Sequence, residues 1–63
     1  SSFRINKSVE TVSIYDTTGK LIFRFEGKFQ KNHEFNISNI TQGLYIVNFK
    51  TKSTSVSKRL LIN

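Results

Sequence analysis

The chain is organised around Ile37-Ser-Asn-Ile40-Thr-Gln-Gly43-Leu-Tyr45-Ile-Val47-Asn-Phe49. The second half of this stretch, residues 44–49, is the most apolar run in the sequence. It is rich in β-branched and aromatic residues, which predicts a well-covered central strand. Gly43 stands directly before that strand and can adopt a positive φ without a Cβ penalty, so the chain can turn sharply there. We therefore expect a corner that leads into a strand.

Tyr45 follows the corner by two residues and predicts how the strand is oriented. In β-sandwiches, a tyrosine near such a corner packs its ring inside, and its hydroxyl group bonds to backbone a few residues upstream. Side chains alternate along a strand, so the orientation of Tyr45 fixes that of its neighbours. The predicted core-facing residues are Tyr45, Val47 and Phe49, whereas Leu44, Ile46 and Asn48 should face outwards or lie under a covering loop.

Composition favours one small domain that is built from strands. The 63 residues include six Phe and two Tyr but no Pro, Cys or Met, and Val, Ile and Thr are frequent, so a helix of any length is not expected. A domain of this size buries only about 60% of the surface of its unfolded chain. Without cysteine, neither a disulfide nor a Cys-based zinc site can add stability, so the apolar side chains must suffice or a neighbouring chain must help.

The alternation of apolar and polar residues predicts six short strands that are separated by turns. Residues 17–20 are predicted to form a hairpin turn in which Gly19 supplies a positive φ and Asp16 bonds to amides of the turn. Residues 27–32 should form a polar loop that contains Phe29. The predicted strands are residues 3–6, 11–16, 21–26, 33–37, 44–49 and 56–63. Their predicted inward side chains include Val12, Ile14, Leu21, Phe23, Phe25, Val56, Leu60 and Ile62. Strands at this spacing predict an all-β, antiparallel sandwich with Greek-key links.

Three motifs occur in a fixed order along the chain. They are Val12-Ser-Ile14-Tyr15-Asp16-x-x-Gly19-Lys20-Leu21-Ile22, then Ile37-Ser38-Asn39-Ile40-x-x-Gly43-Leu44-Tyr45-Ile46-Val47, and finally Ser57-Lys58-Arg59-Leu60-Leu61-Ile62. In this order and spacing they resemble the type A C-terminal sorting domain of proteins that the type IX secretion system of Bacteroidota exports. The resemblance covers residues 9 to 63.

The resemblance implies an immunoglobulin-like β-sandwich that acts as a secretion signal. Members of the family direct an N-terminal cargo across the outer membrane to the cell surface or medium, and a sortase-like peptidase then removes the domain. The expected partners are therefore the outer-membrane translocon, the peptidase and the covalently linked cargo. The matching residues, taken as the candidate recognition set, are Gly19, Lys20, Gly43, Tyr45, Lys58, Arg59, Leu60, Leu61 and Ile62. The glycines and Tyr45 are expected to serve the fold, and the terminal strand to serve recognition.

The family pattern also has an opening Tyr-Pro-Asn-Pro segment and one further strand, which this sequence does not contain. Residues 1–63 are therefore expected to be a single sorting domain that is truncated at its N-terminus and comes from a larger secreted protein. Six strands instead of seven would leave a sheet edge unpaired. We predict that a neighbouring chain or a swapped segment, for example in an edge-paired homodimer, fills this edge.

Other classes of function fit the sequence less well. Only one histidine is present, His33, and the four acidic residues are dispersed, so no catalytic, metal or cofactor site is expected. The net charge of +6 suggests nucleic acid, but the basic residues are scattered, which is more typical of solubility and of protected sheet edges. Phe23 and Phe25 share a face with Leu21 and should pack inside instead of stacking on bases. The main alternative is an immunoglobulin-like adhesion or carbohydrate-binding module, which shares the predicted fold.

Overall fold

The computed structural model describes residues 2–63, and this part of the chain forms six strands and no helix. The strands are β1 (Ser2–Arg4), β2 (Val9–Tyr15), β3 (Leu21–Phe29), β4 (Glu34–Asn36), β5 (Gly43–Lys50) and β6 (Ser55–Ile62). The predicted all-β class and the predicted number of strands are confirmed.

The strands form two antiparallel sheets. The large sheet has the order β3-β2-β5-β6, and the small sheet consists of β1 and β4. Two hairpins, β2–β3 and β5–β6, meet where β2 pairs with β5. Between these hairpins the chain crosses to the small sheet as β4 and returns beside β2. This cross-sheet link joins the strands in the Greek-key manner that was predicted.

The core lies between the two sheets and is centred on β2. Val12 and Ile14 have no exposed surface, as the alternation of β2 predicted. Val47 lies opposite Ile14 in the ladder and is buried too. The remaining buried apolar residues come from both sheets and their connections: Ile5, Val9, Phe35, Ile37, Tyr45 and Ile62.

Phe35 of β4 joins the small sheet to the large one. Its ring centroid lies 5.1 Å from that of Phe25 and 4.8 Å from that of Phe29, both on β3. It also stacks on Phe3 of β1 at 5.2 Å, and Phe3 reaches Phe49 of β5 at 6.4 Å. The small sheet therefore covers β3, β2 and β5, with β4 on the side of β3 and β1 on the side of β5.

Strand β3 differs from the prediction at both of its ends. The predicted inward residues Phe23 and Phe25 do pack against the core, but Leu21 does not, because 44% of its surface is exposed. Tyr15 pairs with Leu21 whereas Ile14 pairs with Phe23, so one extra residue stands in β3 at this point. This β-bulge turns Ile22 towards the core in place of Leu21.

The predicted polar loop at residues 27–32 is wrong in its first half. Strand β3 continues through Gly27 to Phe29, with a second register shift between Val9 and Thr11 on the partner strand. The Phe29 ring packs against Phe35 and lies 5.1 Å from the imidazole ring of His33. His33 itself is exposed.

Candidate functional site

The three sequence motifs meet at one end of the large sheet. The turn that contains Gly19 follows Tyr15, and Tyr15 pairs with Ile46 near the start of β5. Gly43, the first residue of β5, pairs with Ile62 at the end of β6. Residues that are far apart in the sequence are thus brought to the same end, which we call the turn end.

The hairpin turn is held by the carboxylate of Asp16. Its Oδ1 accepts hydrogen bonds from the Thr18 amide at 2.9 Å, the Lys20 amide at 3.0 Å and the Thr18 hydroxyl at 2.6 Å. Gly19 has a φ of 90°, so both parts of the turn prediction are confirmed. The Thr18 hydroxyl above all, and then the Lys20 amide, lower the pKa of Asp16. This turn leaves the Lys20 side chain exposed.

The corner before β5 has the geometry that the sequence predicted. Gly43 has a φ of 150°, and Asn39 earlier in the corner has a φ of 59°. The ring of Tyr45 is buried, and its hydroxyl group donates a 2.6 Å hydrogen bond to the carbonyl oxygen of Thr41. The corner therefore fixes the start of β5 by one backbone conformation and one side-chain bond, which is a structural role for both Gly43 and Tyr45.

The terminal motif is divided between the two faces of β6. Lys58 and Leu60 pair with Val47 and Tyr45 of β5, whose side chains face the core, and Ile62 follows two residues after Leu60. All three therefore lie on the inner face. Leu60 and Ile62 pack there, but Lys58 is exposed. Arg59 and Leu61 lie on the outer face, and 65% of the Leu61 surface is exposed.

The outer face carries an apolar row that sequence reasoning identified only in part. Leu61 lies opposite Leu44, Arg59 lies opposite Ile46, and Ile46 lies opposite Tyr15 across three neighbouring strands. Leu44 and Ile46 were correctly predicted to face outwards but were not assigned a role. Their signal was the alternation itself, because β5 carries apolar residues on both faces.

The opposite end of the large sheet is open and forms a groove. The open groove is lined by residues 4–7 of β1 and the following loop, by Phe49 of β5, and by Val56 and Lys58 of β6, and its volume is about 370 Å³. Phe49 packs against the core as predicted. Val56 lies opposite Phe49 on the predicted inner face of β6, but it is not buried, because 47% of its surface is exposed. The small sheet ends at β1 and does not extend over this part of β6.

The described residues contain no group of three or more metal-ligand side chains. The two ion pairs among them are surface contacts, Arg24 with Glu26 at 3.1 Å and Arg4 with Glu34 at 3.8 Å. Across residues 2–63, no helix is long and apolar enough to cross a membrane.

The fold and these surfaces define a small antiparallel β-sandwich whose motif residues serve two purposes, some holding a turn or corner and others lying exposed on an edge strand. The chain matches the family model of the secretion system C-terminal sorting domain over residues 2–63. It belongs to this family of type IX sorting signals, which are non-catalytic in general. Proteins with such domains are exported through the outer membrane to the cell surface or secreted. No curated protein and no solved structure matches the chain significantly.

Proposed function

We propose that the export machinery recognises this sorting signal at the turn end, through the outer face of β6. The observation that carries the proposal is the position of Leu61 and Arg59. Leu61 is the most exposed of the large apolar side chains described, and Arg59 stands beside it on the same face. An exposed leucine side chain is poorly solvated and does not stabilise the fold. Beside an unpaired guanidinium group, it provides an apolar anchor and a charge for a partner.

The rest of the candidate set supports this surface from within. Leu60 and Ile62 pack on the inner face and hold β6 against the core, while the turn and corner fix the neighbouring strands. Lys20 at the hairpin is exposed at the same end, and we include it as a secondary contact. Lys58 is the other exposed cation of the motifs, but it lies on the inner face in the open groove and so does not belong to this surface. The candidate residues therefore divide into those that hold this surface in place and those that the export machinery contacts.

The test is an export assay with matched charge changes. A fluorescent reporter with a signal peptide and this domain at its C-terminus is expressed in a Bacteroidota host, and surface and medium fractions are measured. We expect Leu61→Ser and Arg59→Glu to retain the reporter in the periplasm. Lys28→Glu makes the same charge change on β3, at the other edge of the large sheet, and should export normally. Normal export by both Leu61→Ser and Arg59→Glu would contradict the proposed surface.

We further propose that the domain performs no chemistry of its own and is removed after passage by a sortase-like peptidase. Family membership favours this role over the adhesion or carbohydrate-binding module that the sequence also allowed. An immunoblot of the exported reporter tests the removal. A surface form that lacks the mass of the domain is the expected result, whereas a surface form of full length would contradict it.

The incomplete cover of β6 supports a last part of the proposal, namely that a strand from a neighbouring chain or a swapped segment pairs with the free edge of β1. A homodimer is one arrangement that this edge allows. Sedimentation equilibrium of the purified chain tests it, because a mass of two chains would support the homodimer and a mass of one chain would exclude it.

A further inference from the structure

The exposed leucine side chains of the described residues lie together on the outer face of the large sheet, at the turn end. Leu21 pairs with Tyr15, and Tyr15 pairs with Ile46, so one apolar row crosses β3, β2 and β5. A second row beside it joins Leu44 of β5 to Leu61 of β6. We call this surface the outer patch, and its members are Tyr15, Leu21, Leu44, Ile46 and Leu61.

The outer patch offers apolar area with few directional hydrogen bonds. Strands β2 and β5 are inner strands of the sheet, so their backbone groups pair with a neighbouring strand on each side. The hydroxyl group of Tyr15 is the one polar side-chain group among its members. A specific protein interface carries about ten direct hydrogen bonds, whereas a lipid surface requires none in fixed positions. Leucine and tyrosine side chains suit the boundary between headgroups and acyl chains, because that boundary accepts both apolar surface and a hydroxyl group.

The charges around the outer patch are positive. Lys20 is exposed directly before Leu21 on the side of β3, and Arg59 lies opposite Ile46 on the side of β6. Neither forms an ion pair among the described residues. Asp16 also lies at the turn end, but its Oδ1 accepts the hydrogen bonds of the hairpin turn. The other acidic residues lie at the opposite end of the large sheet or on the small sheet: Glu10, Glu26 and Glu34. An apolar surface with cations on both sides is complementary to anionic lipid.

We propose that the outer patch docks reversibly on the surface of an anionic lipid bilayer. The leucine side chains lie at the boundary of headgroups and acyl chains, and Lys20 and Arg59 contact headgroup phosphates. A domain held in this way reaches machinery in the same bilayer by diffusion in two dimensions. The inference goes beyond the proposed recognition of Leu61 and Arg59 by the export machinery and does not depend on it. Its test uses purified protein and lipid, so either proposal can fail without the other.

The probe is a vesicle of phosphatidylcholine with or without phosphatidylglycerol, and flotation separates bound protein from free protein. We expect binding to the vesicles that contain phosphatidylglycerol and a loss of binding at high salt. A spin label on the lipid headgroups should broaden the amide resonances of Leu21, Leu44 and Leu61 and leave those of residues 51–54 sharp. Inorganic phosphate without vesicles should shift none of these resonances.

Charge variants separate the outer patch from the overall charge of the chain, because a net charge of +6 attracts any anionic surface. Lys20→Glu should weaken binding by about tenfold or more. Lys52→Glu makes the same change of net charge in the turn between β5 and β6, at the opposite end of the large sheet. It should weaken binding by less than about threefold, since that turn lies away from the bilayer.

Apolar variants test the leucine side chains in the same assay. Leu61→Ser and Leu44→Ser should each weaken binding by about fivefold or more. Val56→Ser is the matched control, because Val56 is also exposed but lies on the inner face at the opposite end, and it should bind as the parent chain does. Circular dichroism and the midpoint of guanidinium denaturation verify that each variant is folded. The two leucine variants lie on different strands, so either one suffices.

Four results would each overturn the proposal. They are absence of binding to vesicles with phosphatidylglycerol, equal weakening by Lys20→Glu and Lys52→Glu, broadening centred on another face, and equal shifts with inorganic phosphate. Absence of binding together with a loss of export in Leu61→Ser would assign the outer patch to a protein partner alone. Binding together with normal export in Leu61→Ser and Arg59→Glu would support the lipid contact and contradict the proposed recognition surface.

Discussion

The two ends of β6 present the same face of one strand in opposite environments. Ile62 at the turn end is 5% exposed, whereas Val56, six residues earlier on the same face, is 47% exposed. At the turn end the connection between the sheets passes over the core, and its residues Ile37 and Ile40 pack there. At the other end, β1 and the loop after it border an open groove beside Val56 instead of covering it. The difference shows that the burial of a side chain on this sheet depends on where the connecting segments pass as well as on the apolar pattern of the strand.

The largest expected effect comes from truncating the two ends of this face in turn. Ile62→Ala should lower the free energy of unfolding by about 2–5 kcal/mol, because it leaves a cavity in a buried site. Val56→Ala removes a side chain that is already half in water and should cost about 0.5 kcal/mol. Guanidinium denaturation followed by circular dichroism measures both. Equal losses would show that Val56 is covered in solution and that the two ends of β6 do not differ.

A smaller loss is expected when the corner of the turn end is strained. Gly43→Ala places a Cβ at a φ of 150°, where no heavy atom lies within 4 Å but the backbone conformation itself is unfavourable. We expect a cost of about 1–3 kcal/mol in the free energy of unfolding. Gln42→Ala, at the exposed neighbouring position, serves as the control and should be nearly neutral. A neutral Gly43→Ala would mean that the corner is not held in this conformation.

Removing a single hydroxyl group from the same corner should cost less again. Tyr45→Phe deletes the hydrogen bond to the Thr41 carbonyl oxygen and should lower the free energy of unfolding by about 0.5–1.5 kcal/mol. Tyr15→Phe is a matched control, because Tyr15 lies on the outer face and its hydroxyl group has no described partner. The same guanidinium denaturation experiment compares the two variants. A larger effect at Tyr15 would contradict the assignment of the corner bond.

The smallest effect is expected from acid at the hairpin turn. Hydrogen bonds from Thr18 and Lys20 hold the pKa of Asp16 below its usual value of 3.8 in the folded chain. A lowered folded pKa means that the ionised carboxylate stabilises the fold above 3.8, and that this contribution is lost as the pH falls through the folded pKa. Stability measured from pH 6 downwards, about the range where carboxylates titrate, should show this loss. In Asp16→Asn that part of the acid dependence should vanish, and an unchanged curve would refute the role of the carboxylate.

The features that the sequence predicted correctly are local ones. The Asp16 turn and the corner at Gly43 and Tyr45 depend on residues within four positions of each other. Their hydrogen bonds can therefore be predicted from a short stretch of sequence. Two departures from the prediction are of another kind: Leu21 faces outwards, and Val56 lies on the predicted face but stays exposed. A bulge changes which side chains at the start of β3 face inwards, and the two-stranded small sheet leaves one end of β6 uncovered. Both depend on how strands pair across the fold, which alternation within a single strand cannot show.

The candidate site shows the same limit. The terminal motif was identified by resemblance, yet its division into an inner set with Leu60 and an outer set with Leu61 depends on the register with β5. The open groove has no sequence signature at all, because Lys7 and Lys58 are 51 positions apart and are brought together only by the crossing between the sheets. The apolar side chain of Val56 predicted a buried position, and only the structure shows that nothing covers it.

The pairing of β1 with β4 also bears on the order in which the domain assembles. Phe3 pairs with Phe35 at a separation of 32 positions, whereas both hairpins of the large sheet close through short turns. Closing a long loop costs more chain entropy, so we expect both hairpins to form before β1 docks on β4. The pairing of the two hairpins through β2 and β5 closes a loop of similar length, with Ile14 opposite Val47, and should also follow hairpin formation. Pulse-labelling of backbone amides during refolding would show the hairpin amides protected before those of β1. The strand that borders the groove would then be held by contacts that form late in folding.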